Sequence, residues 1–122
     1  MNDVELARHI AETAGRLLVD LQRCGLFEGK QLGKAGDRTA NAFIMEALST
    51  QRPDDAVLSE EEKDNPVRLS AARVWIVDPL DGTREYGERR TDWAVHIALA
   101  IDGVATIGAV ASTSSPKSGG WR

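Results

Sequence analysis

Apolar residues recur at helical spacing from the start of the chain. Leu6, Ile10, Ala14, Leu17, Leu18 and Leu21 form the stripe, with Glu5, Arg8, Glu12 and Arg16 between them, which predicts an amphipathic helix. Asn2 and Glu5 have the spacing of a capping box, and Gly25 is a suitable stop. The glycine-rich stretch GLFEGKQLGKAGD, residues 25–37, then reads as a loop. A second helix is predicted from about Arg38 to Ser49, with Ala40, Phe43, Ile44, Ala47 and Leu48 on its apolar side, until RPDD breaks it.

The period changes after that. AVLSEEE and RVWIVDPLD are short apolar runs that lead into acids, and Ala56–Leu58 and Val74–Val77 predict buried strands. Between them EKDNPVRLSAA reads as a polar loop or a short helix. DWAVHIALAIDGVATIGAVA offers two further strands, and Asp102-Gly103 is a strong hairpin signal that makes them an antiparallel pair. Residues 1–111 therefore suit one α/β domain with helices packed on a mixed or antiparallel sheet. Residues 112–122, STSSPKSGGWR, read as a flexible Ser/Gly-rich tail. Trp75 and Trp93 are expected in the core or on a sheet face, His9 in solvent, and His96 as a strand residue rather than a catalytic base.

Composition narrows the classes. A chain of 122 residues with 42% apolar and 28% charged residues suits a single small globular domain. Its formal net charge of −4 argues against a nucleic-acid polymer as partner. Cys24, the single cysteine, is expected within the apolar pattern of the first helix and supports neither a disulfide framework nor a zinc cluster. The acidic start lacks signal-peptide character and no apolar run approaches the ~20 residues of a membrane span, so a cytoplasmic setting is expected.

Carboxylates at strand ends need a cation or a shifted pKa if they lose water. Asp78 and Asp81 flank Pro79 and Leu80, a turn able to aim both acids and the Leu80 carbonyl toward one point. Hard oxygen donors of this kind suit Mg²⁺ or Mn²⁺. If TREYG opens a short helix, the Gly82 and Thr83 amides form an anion site beside them. By residue type alone, Asp-Pro followed by Asp-Gly is equally ordinary loop chemistry, and SEEE alone reads as a solvated face.

DPLDGT, preceded by WIV and by an upstream SEE, resembles the signature of the inositol monophosphatase superfamily of Mg²⁺-dependent, lithium-sensitive phosphatases. Within it, DGTREYG followed by DWAVHIAL is most similar to CysQ-type 3'(2'),5'-bisphosphate nucleotidases. The resemblance implies a layered sugar-phosphatase fold and hydrolysis of a small phosphorylated metabolite with two or more Mg²⁺ ions. The substrate it implies is 3'-phosphoadenosine 5'-phosphate, giving AMP and phosphate, with inositol 1-monophosphate as the alternative. By the same resemblance Glu60, Asp78 and Asp81 are the metal carboxylates and the Leu80 carbonyl a backbone ligand. Asp37 is a further catalytic acid opening the second helix. Thr83 and Glu60 orient the attacking water, and the Gly82 and Thr83 amides hold the phosphate.

Two departures accompany the likeness. Gly33-Lys34 stands where the family commonly has Val-Thr, and family members continue into a second α/β layer that supplies another ligand aspartate. The chain is thus expected to be the N-terminal half of such a fold, with an uncovered sheet prone to self-association, homodimers included. A non-catalytic remnant is the rival expectation.

Overall fold

The structure, a computed structural model, describes residues 1–59 and 71–112. Helix α1 spans Asp3–Arg23 and opens on the expected capping box. Asn2 Oδ1 accepts the Glu5 N–H at 2.8 Å and Glu5 Oε1 accepts the Asn2 N–H at 2.9 Å. Leu6, Ile10, Ala14 and Leu18 are buried, whereas Leu17 is exposed. Gly25 follows the helix with φ of 78°, a conformation that favours glycine. Cys24 is exposed, not part of the apolar stripe, because it caps the helix at its solvent end.

Helix α2 spans Gly29–Gln51, so most of the glycine-rich stretch expected to be a loop is helical. Glycine costs roughly 1 kcal/mol relative to alanine within a helix, which is why the stretch reads as a breaker. What offsets that cost is tertiary: Leu32 and Ala35 are buried, and Gly33 and Gly36 let another element come close to the helix backbone. Asp37 consequently lies inside α2 rather than opening it.

Strands β1 (Ala56–Ser59), β2 (Arg73–Asp81), β3 (Ala94–Ile101) and β4 (Val104–Ser112) form one sheet in that spatial order. A five-residue helix, α3 (Thr83–Gly87), separates β2 from β3. The sheet is mixed: β1 and β2 are parallel, while β2–β3 and β3–β4 are antiparallel. Asp102 (φ 51°) and Gly103 (φ 81°) make the expected hairpin turn. Strand β2 is longer than the expected Val74–Val77 because it continues through the acidic residues. Ser112, expected to begin the tail, is paired with Ala94 as the last residue of β4. Glu60, EKDNPVRLS and the remainder of the expected tail, with Trp121, lie outside the described residues.

Both long helices cover one face of the sheet, α1 over β3 and β4 and α2 over β1 and β2. Alternation along the strands puts Trp75, Val77, Val95, Ile97 and Leu99 in that core with Leu32, Ile44 and Leu48. The opposite face stays open to solvent at Ile76 and Val110. At the end where β1 and β2 begin, Asp55 accepts hydrogen bonds from Arg73 Nε at 3.0 Å and Trp75 Nε1 at 2.9 Å. Asp3 there accepts from Arg52 and Arg73, both at 3.0 Å. These bonds tie α1 and α2 to the sheet and leave its other end for the acids.

Candidate active site

Residues three apart on a regular strand face opposite sides of the sheet. Asp78 pairs with His96 and Asp81 with Ala94, so β2 uses one more residue than β3 over this interval. That extra residue is a β-bulge, and it returns Asp81 to the same face as Asp78. Pro79 occupies the bulge, where a missing N–H costs the ladder nothing. Asp81 is exposed and its Oδ2 lies 3.2 Å from His96 Nε2. His96 is a β3 residue, as expected, with Asp81 as neighbour.

The chain then reverses at Gly82, whose φ of 88° is strained for any side chain, and whose Cβ would meet the Asp92 carbonyl at 2.9 Å. Thr83 opens α3, as the sequence suggested. Its hydroxyl lies 3.2 Å from Asp37 Oδ2 and 3.2 Å from the Leu80 carbonyl. One hydroxyl proton serves one of these acceptors at a time. A carboxylate from α2, a carbonyl from the bulge and the Thr83 hydroxyl therefore meet at one point.

Close helix packing sets this position. A Cβ on Gly33 would stand 2.9 Å from Thr83 Cγ2, and one on Gly36 would stand 2.6 Å from Tyr86 Cε2. Tyr86 is fully buried, donates its hydroxyl to the Leu18 carbonyl at 2.5 Å, and meets the Trp93 ring edge-on at 5.3 Å. Gln22 adds a second anchor, donating from Nε2 to the Tyr86 and Arg90 carbonyls, each at 3.0 Å. Arg89, at φ 62°, donates to the Gln22 carbonyl at 2.8 Å. Sequence reasoning missed Gln22, Tyr86 and the α2 glycines as positioning residues. Helical spacing of Gly29, Gly33 and Gly36 was the available signal.

Burial, with a smaller contribution from Cys24, pushes the Tyr86 phenol above its ordinary value. The folded protein then holds that proton where the unfolded chain releases it. Stability should be intact below about pH 10 and fall as pH rises beyond it. Urea melts across that range should show the decline, with a shallower one in Tyr86→Phe. Equal slopes would remove Tyr86 as its source.

Of the sequence-predicted residues, the structure brings Asp37, Leu80 and Thr83 into contact and places Asp78, Asp81 and Gly82 along the end of β2 and the turn into α3. Among the described residues no three His, Cys, Asp or Glu side chains form a group able to hold a metal ion. Glu60, the third expected carboxylate, lies outside those residues. Asp78 is half-buried and has an interaction partner.

The sequence profile of the inositol monophosphatase family matches residues 6–117. The chain belongs to the inositol monophosphatase family. It is 54% identical over 101 residues to the 3'-phosphoadenosine 5'-phosphate phosphatase of Mycobacterium leprae, covering 81% of this chain and 37% of that protein. The 3'(2'),5'-bisphosphate nucleotidase CysQ of Escherichia coli is 44% identical over 77 residues, covering 62% of this chain and 31% of that one. The crystal structure of CysQ from Bacteroides thetaiotaomicron, a bacterial member of the family, superposes with a TM-score of 0.82 at 30% identity. That likeness covers 93% of this chain and 43% of the CysQ chain. The chain thus spans well under half the length of these relatives, and its α/β layers are those of part of the inositol monophosphatase fold. No helix among the described residues is long and apolar enough to cross a membrane.

Proposed function

We propose that the full-length protein carrying this sequence is a phosphomonoester hydrolase of the cytoplasm acting on 3'(2'),5'-bisphosphate nucleotides, 3'-phosphoadenosine 5'-phosphate foremost. The observation that carries the hydrolase reading is the meeting of Asp37, the Leu80 carbonyl and Thr83 Oγ1 at the end of DPLDGT. The substrate reading draws support from the 54% identity to a 3'-phosphoadenosine 5'-phosphate phosphatase.

The family is generally metal-dependent, and the donor chemistry of this corner fits that dependence: Asp78, Asp81 and the Leu80 carbonyl are all oxygen donors. These residues, with Glu60, would hold Mg²⁺, two or more ions in a lithium-sensitive site. Mg²⁺ there would supply positive charge against the phosphoryl oxygens and acidify a water molecule. When the Thr83 hydroxyl donates its hydrogen bond to Asp37, its lone pairs turn outward, where they would accept a hydrogen bond from the attacking water, a role that the resemblance shares out to Glu60 as well. The Gly82 and Thr83 amides face the phosphate.

Phosphate release from 3'-phosphoadenosine 5'-phosphate and from inositol 1-phosphate, measured side by side, tests the substrate. A preference for the inositol ester would overturn the nucleotide reading. Exhaustive chelation should abolish turnover and added Mg²⁺ restore it; full activity after chelation would defeat the metal dependence.

A further inference from the structure

On the face of the sheet away from the helices, His96 is set against both aspartates of DPLDGT. The register of β2 and β3 puts it directly opposite Asp78, and its Nε2 lies 3.2 Å from Asp81 Oδ2. Alternation along β3 fixes this side: Val95 and Ile97 are buried under the helices, so His96 between them points the other way. The bulge supplies the remaining condition, because on a regular strand Asp81 would face the core side and miss His96.

A carboxylate at an exposed strand end turns freely about its side-chain bonds, and fixing it costs entropy whenever it ligates an ion. His96 limits that freedom. An ionised carboxylate only accepts hydrogen bonds, so the imidazole nitrogen facing Asp81 is the donor. Nε2 engages Oδ2 and leaves Oδ1 with no hydrogen-bond partner among the described residues. Among those residues no other side chain hydrogen-bonds or ion-pairs with Asp81, and His96 has no second such partner.

We propose that His96 is a positioning residue for the metal site: it holds the Asp81 carboxylate by one oxygen and leaves the other for the ion, without itself ligating the ion or exchanging a proton with substrate. The inference rests on the proposed role of Asp81 as a metal ligand and extends that site to the neighbouring strand. Hydrogen-bond partners of ligating groups set metal affinity by about 10–100-fold. Exposure of this pair puts His96 at the lower end of that range.

The test uses the full-length enzyme freed of metal, with Mn²⁺ as the probe because its paramagnetic resonance reports free ion without any turnover. His96→Ala should bind Mn²⁺ about tenfold more weakly than wild type, and His96→Gln, which keeps an N–H donor at similar reach, should recover most of the difference. Without metal, both variants should melt close to wild type, since a surface pair adds little to stability. In turnover, the Mg²⁺ concentration at half-maximal rate should rise about tenfold in His96→Ala while the rate at saturating Mg²⁺ stays within about twofold. In an Asp81→Asn background, adding His96→Ala should change Mn²⁺ affinity by less than about twofold, because the ligand it positions is already lost. Equal weakening by His96→Ala in both backgrounds overturns the positioning role and leaves the metal assignment standing. So does unchanged Mn²⁺ binding in His96→Ala when Asp81→Asn weakens it. A wild type that binds no Mn²⁺, or an Asp81→Asn enzyme that binds it as tightly as wild type, overturns the assignment of Asp81 and the inference with it.

Discussion

Replacing Gly36 by valine is expected to cost about 3 kcal/mol of stability and most of the activity of the full-length enzyme, although residue 36 is itself no proposed ligand. Even the first added carbon would stand 2.6 Å from Tyr86 Cε2 and 3.1 Å from Leu80 Cδ2. Neither neighbour can yield cheaply. The Tyr86 ring is held by the Leu18 carbonyl at one end and by Trp93 at its side, and Leu80 sits in the bulge that aligns the two aspartates. Relief has to come from separating α2 and α3, which pulls Thr83 away from Asp37. Gly108→Ala is the control: a Cβ there meets nothing and its backbone is not in the left-handed region, so it should stay within about 0.5 kcal/mol. Urea midpoints and phosphate release measured on both variants would decide it. A Gly36→Val enzyme as stable and active as wild type would show that α2 and α3 are not closely packed.

That dependence also explains why the second helix was only half legible. Its apolar half, Ala40 to Leu48, announces itself by period. Residues 29–37 carry glycines whose local propensity points to a loop, and the compensating term is a long-range contact with Tyr86 that no window of sequence contains. For the same reason Asp37, expected at a helix start, lies within α2 and meets Thr83. The first helix, the hairpin at Asp102-Gly103 and the start of α3 rest on caps and turns within a few residues, and all three are found as read.

The acidic corner was legible as residues but not as geometry. Residue types in Asp-Pro-Leu-Asp predict a turn at a strand exit, whereas it is a bulge inside β2 with the ladder resuming at Asp81. Both descriptions bring the aspartates to one side. Only the bulge explains why Pro79 and Leu80 are buried while Asp81 remains in water beside His96. Gln22 had no local signal at all, since its function is to satisfy carbonyls of residues 86 and 90.

Exposure of Asp81 makes it the place where charge can be removed with least damage to the fold. Asp81→Asn keeps the volume and the ability to accept a hydrogen bond from His96, and the pair it weakens is a surface one worth at most about 1 kcal/mol. Its melting temperature without metal should therefore barely move. Turnover of the full-length enzyme should fall by about two to three orders of magnitude, the scale seen when one preorganised stabiliser of developing charge is lost. The Mg²⁺ concentration needed for half-maximal rate should rise at the same time, which a merely structural role would not produce. Asp102→Asn removes the same charge at the opposite end of the sheet, in a left-handed turn position that asparagine tolerates, and should leave both the rate and the Mg²⁺ requirement as they were. If Asp81→Asn turned over at the wild-type rate at low Mg²⁺, Asp81 would be an ordinary solvated strand-end residue and the metal assignment would have to be rebuilt on Asp78 and Asp37.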